Sequence, residues 1–145
     1  MLKPGSAAPI HGRLHGSRAW RAGFFAFSIV FAAFTPAVMA GEADVVDVKV
    51  SAETGGTYRF DVTVEHADEG WEHYADQWDV LDDAGNVLGS RKLLHPHVDE
   101  QPFTRGLSGV SLPDGLTHVT IRARDSVHGF GGREVTLPIP GRGNG

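Results

Sequence analysis

Tyr58-Arg59-Phe60-Asp61-Val62-Thr63-Val64-Glu65 is the stretch that decides the fold class. Apolar and polar side chains alternate without a break. Successive side chains of a β-strand point to opposite faces, so this pattern is a strand with one buried and one solvated face. Val46, Val48 and Val50 predict a strand before it, and Trp78 and Val80 one after it. Asp82-Asp83-Ala84-Gly85-Asn86 then reads as a turn, and Val87–Leu94 runs back. Phe103–Leu112 is an expected fifth strand, with Gly106 and Gly109 as bulge sites. Val119, Ile121 and Ala123 predict a sixth; Val135, Leu137 and Ile139 predict a seventh. Pro138 and Pro140 mark that last strand as an edge.

Seven short strands with turn signals between them predict an all-β sandwich over residues 41–140, followed by a flexible tail at 141–145. Trp78 falls on the third strand, and Ala123-Arg124-Asp125-Ser126 runs into a glycine-rich loop. In these features the chain resembles the immunoglobulin and fibronectin type III-like modules of exported bacterial proteins. The resemblance implies a seven-stranded sandwich with Trp78 buried. It implies no activity. The chain departs from the pattern in having no cysteine pair and no tyrosine at the corner before the sixth strand.

Residues 1–40 read as an address. They hold Lys3, Arg13, Arg18 and Arg21 and no acid, whereas residues 41–145 carry a formal charge of −9. An apolar run from Phe24 to Phe34 precedes Pro36 and Val38-Met39-Ala40. A basic start, a short apolar run and a small-residue cleavage site predict a Sec signal peptide cut before Gly41. The run is shorter than the roughly 20 residues that span a bilayer, although an uncleaved anchor is the alternative. A periplasmic or extracellular destination follows, with no stable membrane span after cleavage. The chain has no Cys, which excludes disulfides, thiolate metal sites and a lipid-bearing cysteine. The acidic balance of residues 41–145 speaks against nucleic acid as a partner.

Histidines are the chemistry of this chain. If the strands follow the order of the resembled modules, the loops after strands two, four and six share one pole. His66 and His73 flank the first of these loops, His95 and His97 lie in the second, and His128 lies in the third. His118 alone goes to the opposite pole. His95-Pro96-His97 in extended backbone puts both imidazoles on one face, about 6–7 Å apart at Cα, within reach of one metal ion. Asp99 and Glu100 follow as carboxylate ligands or as partners of the imidazole N–H.

The expected metal ligands are therefore His95 and His97, completed by His66, His73, His128 or Glu100. Without sulfur ligands the site suits Cu(II) or Zn(II), and copper's higher affinity for nitrogen favours Cu(II). Trp71 and Tyr74 are either a platform shielding the site or a cap on the core, and Phe130 belongs to the same surface. The expected function is a small exported non-catalytic protein that sequesters or delivers the ion, or serves a metalloenzyme. The alternative is a metal-free interaction module that grips a partner protein or glycan through the same loops. Two weaker readings remain. Asp79, Asp82, Asp83 and Asn86 suggest calcium but lack EF-hand spacing, and a turn explains them. Asp125, Ser126 and His128 have triad residue types without a nucleophile elbow.

Overall fold

The computed structural model describes Gly5, Gly12 and residues 41–143. The expected signal peptide lies almost wholly outside the described residues. The rest forms β1 (Asp44–Ala52), β2 (Tyr58–Glu65), β3 (Ala75–Leu81), β4 (Val87–Lys92), β5 (Phe103–Val110), β6 (His118–Asp125), β7 (Gly129–Phe130) and β8 (Val135–Pro138). Two antiparallel sheets result. One has the order β1-β2-β5; the other has the order β4-β3-β6-β7, with β8 also on β6. The chain is an all-β sandwich with eight strands where seven were expected. The extra strand is β7, two residues of the glycine-rich loop, which pair with Arg124 and Asp125.

The alternation in β2 holds as read. Phe60, Val62 and Val64 are fully buried, and Tyr58 is nearly so. They pack with Trp78, Phe103, Ile121, Val119 and Ile139 between the sheets. Trp78 is fully buried on β3. The first strand departs from simple alternation. A register shift between Val45 and Asp47 leaves Val46 as an extra residue. Val45, not Val46, is fully buried, and Val48 and Val50 then return to the core face. One bulged residue shifts the pleat by one, which alternation alone does not reveal.

The expected bulge in β5 falls at Gly109, where φ is +74° and the register against β2 slips. Gly106 pairs regularly with Asp61 and instead makes room for the Arg59–Asp61 ion pair above it. Asp82 closes the β3–β4 turn by accepting from the amides of Ala84 and Asn86 at 2.9 and 2.8 Å. Asp79 pairs with Arg122 at 3.2 Å. The turn thus engages Asp82 and Asn86, while Asp79, on β3, is held by Arg122. Arg142, in the stretch expected as a tail, donates from Nε to the Tyr58 hydroxyl at 3.1 Å.

Candidate metal centre

The loops after β2, β4 and β6 meet at one end of the sandwich, as the alternating strand directions require. Asp68 fastens two of them. Its Oδ1 accepts from His66 Nδ1 at 2.6 Å and from the Ala75 amide at 3.0 Å, while Oδ2 accepts from the His97 amide at 2.6 Å. Gln101 adds a second tie, accepting from the His66 amide at 3.0 Å and donating to the His97 carbonyl at 3.1 Å. The first loop folds back at Gly70, whose φ of +107° suits glycine, so that the Glu69 amide donates to the His73 carbonyl at 2.8 Å. The Ser126 amide joins the third loop to the first through the Tyr74 carbonyl at 2.9 Å.

Asp125 ends β6, and the register places it opposite Ala75. Its Oδ1 accepts the amides of Val127 and His128 at 2.9 and 2.7 Å, which sets the turn that follows. The same oxygen faces His73 Nε2 and His128 Nδ1, each at 3.1 Å. Its Oδ2 is buried and has no partner. Burial by itself raises the Asp125 pKa. The two amides, with the electrostatic pull of the His128 and His66 imidazoles, outweigh that and hold the carboxyl below its ordinary value.

His66, His73 and Asp125 each offer a ligand atom, and these atoms lie within 4.8 Å of one another. All three residues are buried. The His66 and His73 rings meet edge to face at 4.8 Å, and the His73 and His128 rings at 5.0 Å. Each of the first two imidazoles turns Nδ1 to a carboxylate. His66 Nδ1 faces Asp68, and His73 Nδ1 lies 3.5 Å from Glu69 Oε2. Such carboxylates orient histidine ligands and raise their basicity. His66 Nε2 lies 2.9 Å from the Gly41 carbonyl oxygen.

The expected ligands thus divide. His66 and His73 come together, and His128 stands beside them. His95 and His97 pair with each other, their rings 4.5 Å apart, and neither belongs to the His66/His73/Asp125 group. His97 is buried, stacks on Phe103 at 3.8 Å, and both its ring nitrogens lack partners. Burial, then the charges of Arg105 and His95, lower its pKa. Glu100 is committed to Arg105 at 2.9 Å, which lowers its own pKa. Trp71 is 68% exposed, which corrects the reading of it as a core cap; it meets half-buried Tyr74 edge to face at 5.7 Å. Phe130 is part-exposed, with the Arg122 guanidinium 3.8 Å over its ring.

Asp125 and Asp68 were not among the expected ligands. The spacings His66-Ala67-Asp68 and Asp125-x-x-His128 carry a signal for both, since short spacing brings a carboxylate to an imidazole. The triad reading finds no support: Ser126 Oγ accepts from the Tyr74 amide, and Asp125 shapes its own turn.

No protein-family model matches the chain. It is 43% identical over 96 residues to a "Putative lipoprotein" of Halomicrobium mukohataei, an alignment covering 66% of this chain and 47% of that protein. The chain thus spans about half the length of the curated relative it matches. Among solved structures, it is similar to a point variant of the superoxide reductase (neelaredoxin) from Archaeoglobus fulgidus in the reduced form. That similarity has a TM-score of 0.43 at 11% identity, over 66% of this chain and 87% of the other, too low to bear on function.

Proposed function

We propose that this protein is a small exported metal-binding protein holding one Cu(II) or Zn(II) ion through His66, His73 and Asp125. The observation that carries the reading is the group of three buried ligand atoms within 4.8 Å, one carboxylate oxygen of which has no partner. Bonds of about 2.0–2.2 Å to Zn(II) would require the more widely spaced of these atoms to close by up to about an ångström. The His73–Asp125 contact at 3.1 Å already suits it. His66 and His73 bind through Nε2, because their Nδ1 atoms face Asp68 and Glu69. His128 is the nearest further nitrogen ligand. Two nitrogens and a carboxylate without sulfur fit Cu(II) or Zn(II). The ion is held for sequestration, delivery or an accessory role, and no catalysis is assigned.

Export is supported by the residue pattern of positions 1–40 and by the name of the Halomicrobium mukohataei relative. This chain has no cysteine, so none of these 145 residues carries a lipid thioether. The sheet orders β1-β2-β5 and β4-β3-β6-β7 support the finer likeness to immunoglobulin and fibronectin type III-like modules.

Calorimetric titration of the purified protein with Cu(II) and then Zn(II) at neutral pH tests the reading. One ion per chain with sub-micromolar Kd is expected, and Asp125→Asn abolishes it while the far-ultraviolet spectrum stays unchanged. Binding that survives in Asp125→Asn refutes this site.

One observation favours a second reading, a partner-protein surface. Trp71, Leu94, Val98, Val127 and Phe130 are exposed apolar side chains on the loops and short strand around the histidines. Under that reading Trp71→Ala removes partner capture and Asp125→Asn leaves it intact.

A further inference from the structure

A cleft of about 100 Å³ lies where the edge strand of one sheet, β4, approaches the edge strand of the other, β5. Its walls carry Arg91, Lys92, His95, His97 and Arg105. Among these, Arg105 is neutralised by Glu100 at 2.9 Å. Arg91 Nε is buried with no acceptor, and both ring nitrogens of buried His97 lack hydrogen bonds, Asp68 Oδ2 standing 3.9 Å from Nδ1. Buried polar groups are nearly always satisfied, and here three unpartnered nitrogens belong to residues lining one small cationic cleft.

We infer that this cleft binds a single small oxyanion, a sulfate, phosphate or carboxylate group, with the buried Nε of Arg91 and the His97 ring as donors and Lys92 supplying charge. Arginine is suited to the role because its planar fork matches the oxygens of such groups. The volume admits one such group and excludes a nucleotide. The site shares no residue with the His66/His73/Asp125 group, so it stands whether or not that group holds a metal.

The test uses the purified protein, treated with a chelator, and follows arginine Nε–H and imidazole signals by proton–nitrogen NMR. Sodium sulfate is titrated against sodium chloride at matched ionic strength, with phosphate and acetate as parallel arms. A saturable shift at Arg91 Nε is expected. Arg91→Gln weakens the affinity about tenfold, the loss of one charge-assisted hydrogen bond. Lys92→Gln weakens it less, and Asp125→Asn does not change it. Tighter sulfate or phosphate than acetate assigns a tetrahedral oxyanion; the reverse order assigns a carboxylate. Shifts linear in salt and equal for chloride and all three oxyanions overturn the site. So does unaltered affinity in Arg91→Gln when its backbone spectrum matches the parent.

Discussion

His73 Nε2 lies 3.1 Å from Asp125 Oδ1, although the two residues are 52 positions apart in the chain. The contact exists because β3 and β6 pair with Ala75 opposite Asp125, which sets the loop before β3 against the end of β6. The ligand group is therefore built on the rim of a paired sheet, and its geometry is inherited from strand register.

If His66, His73 and Asp125 hold an ion as proposed, binding couples to stability, because the folded state alone assembles these ligands. At a free-ion concentration 100 times Kd the gain is about 2.7 kcal/mol. The protein is expected to unfold several degrees higher with Zn(II) than in chelator. Asp125→Asn should melt at the same temperature in both, by calorimetric scanning.

Asp68 accepts from His66 Nδ1 and from the amides of Ala75 and His97. Asp68→Ala leaves three buried donors without acceptors, at about 1–3 kcal/mol each before relaxation. Urea unfolding should show a loss of at least about 3 kcal/mol. Asp68→Asn keeps an acceptor oxygen and should lose less stability, while metal affinity still falls about 10–100-fold. Equal stability losses in the two variants would contradict this account.

His97 has a depressed pKa in the folded state, from burial first and then from Arg105 and His95. The unfolded chain takes up its proton near the ordinary value of about 6.5, and the folded chain only at lower pH. Between about 6.5 and that lower pH the unfolded state binds more protons, so stability falls as pH falls through this window. In chelator and low salt, His97→Phe should flatten this decline. Denaturation midpoints measured between neutral pH and pH 5 read the difference, and parallel curves for parent and variant would remove His97 as its source.

Two tryptophans close together in the chain should behave oppositely. Trp78 is fully buried between the sheets, and Trp78→Ala should cost about 3–5 kcal/mol. Trp71 is 68% exposed, and Trp71→Ala should stay within about 0.5 kcal/mol of the parent. Chemical denaturation of both variants checks the pair.

The period-two pattern of Tyr58–Glu65 was enough for an all-β sandwich, because a strand with one dry face needs a second sheet to cover it. Alternating strand direction likewise brought the loops of His66, His73, His97 and His128 to one end. The bulge at Val46 was not legible, since three spaced valines fit either register until β2 pairs with them. The short strand β7 was hidden in a glycine-rich stretch that also reads as a turn.

Which histidines meet was decided only by the tertiary structure. His95-Pro96-His97 is the conspicuous pair in the chain, yet His97 turns inward to stack on Phe103, between the loop and the core. Asp68 and Asp125 look like ordinary loop and strand-end acids in the sequence. They become buried partners of imidazoles because the amides of Ala75 and His97 reach Asp68, and those of Val127 and His128 reach Asp125 Oδ1. A carboxylate is tolerated in a dry interior only when donors converge on it, and those donors come from segments that folding alone brings together.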